Sequence, residues 1–141
     1  MPSLTDTLRT EHAVVMSLVE EVRGHLRAGK SAPLGQTLTN LKTALLTHLR
    51  HEDEVLYPGL IQLAQSHGDA TLERTGKAFQ DNMKRITTGL EAFLRKYDRP
   101  SFDLKAFETE WKSVVELLVA RITAEEKTLY SMYDRISAKR G

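Results

Sequence analysis

Apolar residues recur at steps of three and four along nearly the whole chain, a period that only amphipathic helices with one buried face can use. The first seam reads Leu4, Leu8, position 12, Val15, Val19, Val22 and Leu26. The second reads Leu34, Leu38, Leu41, Leu45, positions 48 and 52, Val55, Gly59 and Leu63. The third runs through Leu72, Gly76, Phe79, Met83, Ile86, Leu90, Phe93 and Tyr97. The fourth follows Leu104, Phe107, Trp111, Val114, Leu118, positions 121 and 125, Thr128 and Met132. Turn-forming residues part the segments: Gly24, Gly29, Ser31 and Pro33, then His67, Gly68 and Asp69, then Asp98, Pro100 and Ser101. No segment reads as a strand. Short connections between long helices favour antiparallel neighbours, so residues 1–141 are expected to form one all-α domain, an up-and-down four-helix bundle. Pro58, deep in the second segment, removes one backbone donor and is expected to bend that helix rather than divide it.

Composition narrows the function classes. At 141 residues and 15.9 kDa the chain suits one domain around one core. Twenty basic residues against nineteen acidic ones leave a formal charge of +1, without blocks of like charge. Neither a nucleic-acid nor a membrane partner is expected from that balance, and the tail Lys139, Arg140 reads as solvated. With no cysteine, disulfides, thiolate ligands and a cysteine nucleophile are excluded. Met1 to Thr10 lacks the apolar core of a secretory signal, and no run approaches the roughly 18 apolar residues of a membrane span. The expected setting is the cytoplasm.

Polar residues interrupt the seams at five positions: His12 in the first, His48 and Glu52 in the second, Arg121 and Glu125 in the fourth. A histidine and a glutamate four residues apart lie within about 40° around a helix, so both can face one object. A buried carboxylate without partners is costly, so Glu52 requires either a cation or a set of donors. A divalent ion held by imidazole and carboxylate meets that need, and so does a metal-free hydrogen-bonded core. The segment HLRHEDEVLYPGL from His48 aligns with RITAEEKTLYSMY from Arg121 at a constant offset of 73 residues. His48 then matches Arg121, Glu52 matches Glu125, and Tyr57 matches Tyr130. The steps 12, 15, 19, 22 and 83, 86, 90, 93 pair His12 with Met83. The domain thus reads as two duplicated helical hairpins, about 1–66 and 69–138.

The run HLRHEDEVLYP resembles the HHE motif of hemerythrin-like domains, where a helix carries His, then Glu four residues on, an acidic residue, and a Leu-aromatic-Pro ending. The likeness extends to His12 and to the whole four-helix layout. It implies non-haem iron, usually a carboxylate-bridged pair in the bundle core, used for oxygen binding, sensing or redox chemistry. It also implies His12, His48, Glu52 and Glu125 as metal ligands. Where the family places further histidines, this chain has Met83, with neighbours Asp81 and Asn82, and Arg121. A five-histidine di-iron centre cannot be built from these positions. His25 and His67 lie near helix ends and read as solvated, whereas His51 could turn inward as a ligand or a donor to one.

Ionised Glu52 and Glu125 with Arg121 sum to −1, which one divalent cation turns to +1. Arg121 can therefore replace a second metal by pairing with Glu125 or Glu52, or it can snorkel outward while Ile122 takes the core position. Tyr57 and Tyr130 are expected on the far side of their helices. Two functions follow: a protein holding one or two iron ions and engaging O2 or NO, or in iron handling; and a metal-free interaction module closed by an Arg-carboxylate network. Oxidase chemistry has too few ligands in the second half.

Overall fold

In a computed structural model, which describes residues 3–99 and 102–139, four long helices account for nearly the whole chain. We label them α1 (Leu4–Ala28), α2 (Ser31–His51, continued through a π-helical turn Glu52–Leu56 into Tyr57–Ser66), α3 (Ala70–Lys96) and α4 (Leu104–Ala124, a π-helical turn Glu125–Leu129, then Tyr130–Ala138). Local chemistry sets most of the ends. Ser3 and Asp6 cap α1 reciprocally, the Asp6 N–H donating to Ser3 Oγ at 3.1 Å and the Ser3 N–H to Asp6 Oδ2 at 3.3 Å. The helix stops at Gly29, whose φ of 64° places it in the left-handed region. Gly24, expected as a break, is instead inside α1, because a lone glycine weakens a helix by only about 1 kcal/mol and does not end it. Gly68, at φ 66°, turns the chain into α3, where Asp69 accepts from the Leu72 N–H at 3.0 Å. Pro100 and Ser101, read as part of the last turn, lie outside the described residues, and Asp103 caps α4 through the Lys105 N–H at 2.9 Å.

Cross-helix contacts run in opposite directions at every neighbouring pair, which is the up-and-down arrangement. His25 meets Thr37 while Glu11 meets His48 between α1 and α2. Thr5 meets Asp134 while His12 meets Glu126 between α1 and α4. Tyr97 meets Glu110 while Asn82 meets Arg121 between α3 and α4. Leu60 packs on Gly76 while Gln65 bonds Glu73 between α2 and α3.

The core has two parts. One gathers Val15, Val19, Leu41, Leu45, Leu90, Phe93, Phe107, Trp111 and Leu118. The other gathers Leu8, Leu49, Leu56, Tyr57, Leu60, Met83, Leu129, Tyr130 and Ile136. Three helices pass from one cluster to the other through the polar residues: α1 at His12, α2 at His48 and Glu52, and α4 at Arg121 and Glu125. The polar residues form a band across the middle of the bundle.

The π turns correct the seams read from sequence. Past Glu52 the buried residues are Leu56, Leu60 and Ala64 rather than Val55, Gly59 and Leu63, and Val55 is 48% exposed. Past Glu125 they are Leu129 and Ile136, while Thr128 is exposed. In each turn a backbone bond spans five residues, from the Tyr57 N–H to the Glu52 carbonyl and from the Tyr130 N–H to the Glu125 carbonyl. The wider turn accommodates one extra residue, which shifts everything after it by one position around the helix. Proline is not the cause: Pro58 follows the first turn, yet its counterpart after the second is Ser131. The helix continues through Pro58 without dividing.

This register makes opposite predictions for adjacent residues. Leu56→Ala is expected to cost about 2–5 kcal/mol in urea unfolding, and Val55→Ala less than about 0.5 kcal/mol. Equal losses would show that the turn is not π-helical.

Candidate metal centre

Each helix brings side chains to the polar band. From α1 and α2 come His12, His48 and Glu52, and from α4 comes Glu125; all four are buried, Glu52 at 0% and Glu125 at 2% exposure. One ligand-type atom from each lies within 4.8 Å of the other three. His12 Nε2 is 3.0 Å from Glu125 Oε1, and His48 Nε2 is 3.5 Å from Glu52 Oε2 and 3.9 Å from Glu125 Oε1. Carboxylates hold the outer nitrogens of both rings. His12 Nδ1 is 2.8 Å from Glu126 Oε2, and His48 Nδ1 is 2.8 Å from Glu11 Oε1. Such partners fix ring orientation, so that both Nε2 atoms face inward.

Arg121 turns inward and is 8% exposed, so Ile122 does not displace it from the core. Its Nη1 donates to Asn82 Oδ1 at 2.9 Å, and its Nη2 donates to the Tyr57 hydroxyl and the Phe79 carbonyl, each at 2.9 Å. The guanidinium lies over the Phe79 ring, 4.7 Å from its centroid, while Nε is 3.4 Å from Glu125 Oε2. The pairing is therefore with Glu125 and not with Glu52. His51 is half-exposed and bonds the second oxygen of Glu11 through Nδ1, so it braces His48 from outside the cluster. Met83 is buried beside His12, His48 and Arg121, where with Val15, Leu45 and Leu118 it lines a cavity of about 20 Å³. His67 is exposed, whereas His25, read as solvated, bonds Thr37 Oγ1 at 3.1 Å.

The tyrosines overturn their expected placement. Tyr57 and Tyr130 are both fully buried and point into the band, because each follows a π turn that rotates it inward by one residue. Tyr130 donates from its hydroxyl to Glu52 Oε2 at 2.8 Å and lies 3.2 Å from His12 Nε2. Glu11, Glu126 and Asn82 are the other participants that the seams did not reveal, since each flanks a seam position and reaches in from the surface. Their signal was adjacency: Glu11 precedes His12, Asn82 precedes Met83, and Glu126 follows Glu125.

The electrostatics are those of an anionic pocket. Burial alone would lower the pKa of His48, but the carboxylates of Glu125, Glu52 and Glu11 outweigh it and raise it to about 10. Burial pushes Glu52 up to about 7, against the opposing pull of His48. Burial also works to raise Glu125, yet the bonds from His12 and His48 and the charge of Arg121 prevail and hold it at about 2. Desolvation raises both tyrosines further above their ordinary value, so they stay neutral donors or acceptors.

Among the described residues, four buried polar side-chain atoms find no hydrogen-bond partner: His48 Nε2, Glu52 Oε1, Glu125 Oε2 and Arg121 Nε. Three of these four are imidazole or carboxylate atoms, the donor set of a hard or borderline divalent cation. The residues present fit a metal ion on that observation.

Fold and site together define a helical bundle with a buried histidine-carboxylate cluster able to hold a cation. The model of the Hemerythrin HHE cation binding domain matches residues 3–133, and the chain belongs to that family. No curated protein and no solved structure matches it. Among the described residues, no helix is long and apolar enough to cross a membrane.

Tyr130 holds one oxygen of a fully buried carboxylate, so Tyr130→Phe is expected to destabilise the metal-free protein by about 1–3 kcal/mol. Tyr133→Phe, at a half-buried ring, is the control and should cost less than about 0.5 kcal/mol in the same urea titration.

Proposed function

We propose that this chain binds non-haem iron through His12, His48, Glu52 and Glu125 and uses it to engage a diatomic ligand, O2 or NO, in sensing, redox or iron handling. The observation that carries the reading is the convergence of buried ligand atoms, of which His48 Nε2, Glu52 Oε1 and Glu125 Oε2 have no hydrogen-bond partner among the described residues. Iron bound there would supply a coordination position for the diatomic molecule and a one-electron redox couple.

The chain's own residues supply the rest. Glu126 and Glu11 orient the two imidazoles, and Tyr130 ties one oxygen of Glu52, leaving Oε1 free to bind. The two apolar clusters exclude water on either side, which strengthens each electrostatic contact inside. The cavity of about 20 Å³ beside His12 and His48, walled mainly by Val15, Leu45, Met83, Leu90 and Leu118, suits a molecule about the size of one water. The cytoplasm is the proposed setting, and the near balance of basic and acidic residues supports a protein with neither nucleic acid nor membrane as partner.

One observation favours a second reading, a metal-free bundle acting as an interaction module: both terminal nitrogens of Arg121 are bonded by protein groups alone. Elemental analysis separates the two. Protein reconstituted with ferrous iron under anaerobic conditions and then desalted is expected to retain iron, and His48→Ala to lose at least about 90% of it. Wild-type protein that retained no iron and whose thermal stability ignored a chelator would leave the interaction module as the surviving reading.

A further inference from the structure

The band carries two matched halves that differ in charge. An offset of 73 residues relates His48, Glu52 and Tyr57 on α2 to Arg121, Glu125 and Tyr130 on α4, and both sets straddle a π turn. An offset of 71 residues relates Glu11 and His12 on α1 to Asn82 and Met83 on α3. The contacts obey the same correspondence. Glu11 accepts from His48 in one half, and Asn82 accepts from Arg121 in the other. Glu126 meets His12, whereas Asp53, its counterpart, is exposed, and Met83, the counterpart of His12, has no nitrogen to offer it.

Two substitutions therefore act together. An imidazole must be neutral to ligate, so in the ion-binding form the pair Glu11 and His48 carries a formal charge of −1, and the pair Asn82 and Arg121 carries +1. The second half is more positive by two charges, the amount that a divalent ion would bring. Arg121 is also locked in place by Asn82, Tyr57 and the Phe79 carbonyl, with Nε directed at Glu125. A guanidinium is a fixed-geometry cation whose fork of donors suits such a set of partners.

Resting on the iron-binding reading above, we infer that Arg121, held in place by Asn82, is a built-in cation that replaces a second metal, making this a site for one ion per chain. Arg121 holds Glu125 by charge, and the half-site built on α3 and α4 takes no ion of its own. The first half supplies the template for reversing this: Asn82→Glu, Met83→His and Arg121→His together copy the pattern Glu11, His12 and His48 onto α3 and α4.

The test counts iron on the full chain after anaerobic loading with ferrous iron and desalting, with helicity checked by circular dichroism. Wild type is expected to hold one iron per chain and the triple variant two. Two irons on wild type would overturn the inference while leaving iron binding intact. No iron on wild type, with His48→Ala unchanged, would remove the reading beneath it. A folded triple variant that stays at one iron would show that Arg121 and Asn82 are not what excludes the second. Should the triple variant fail to fold, Arg121→His alone is the milder change. It is expected to add a second, weaker event to a calorimetric ferrous titration, and a single event would overturn the inference.

Discussion

Two carboxylates, Glu52 and Glu125, sit in the dry middle of the bundle, and the cost of burying their charge organises what surrounds them. At 0% and 2% exposure both are cut off from bulk solvent, so each oxygen calls for a donor, a counter-charge or an ion. Glu52 receives Tyr130 on one oxygen, and Glu125 receives His12 on one and approaches Arg121 with the other. What the protein does not meet is directed inward at a common point. The histidines are then set by a further ring of carboxylates, Glu11 and Glu126, which lie closer to solvent where charge is cheaper to hold. The arrangement grades from apolar flank to buried charge to half-exposed charge within the width of one helix.

Backbone geometry makes that grading possible. A straight α-helix carrying Glu52 on its buried seam would turn Tyr57 away from it, and the same holds for Glu125 and Tyr130. The π turns add a residue at each place, so carboxylate and tyrosine share a face, and Leu56 and Leu129 fill the apolar cluster beneath. The extra residue thus aligns two needs of each helix, one polar and one apolar, that a regular period would set apart.

Much of this was legible in the residues themselves. The three-and-four period located all four helices, because burial of an apolar stripe dominates their energetics. The seam intruders His12, His48, Glu52, Arg121 and Glu125 are all buried, since a polar residue on an otherwise apolar stripe has nowhere else to go. Residues beyond each π turn were misplaced by one position, because a period extrapolated from the first half of a helix assumes constant pitch. Val55 and Leu56 are both apolar, as are Leu63 and Ala64, so hydropathy alone could not reveal the slip. Glu11 and Glu126 escaped for a different reason: they act from flanking positions with long side chains, where a charged residue ordinarily means only a solvated face, and Asn82 stood out only as a neighbour of Met83.

The division of the interior into two apolar clusters gives the molecule unequal visibility to light. Its single tryptophan, Trp111, belongs to the cluster formed by Val15, Phe93 and Phe107, stacked on Phe107 at 5.6 Å, while the cluster containing Leu56 and Leu129 has tyrosines but no indole. Tryptophan emission therefore reports loosening of the first half and is blind to early melting of the second. A probe placed beyond the polar band is needed before an emission trace can stand for the whole bundle.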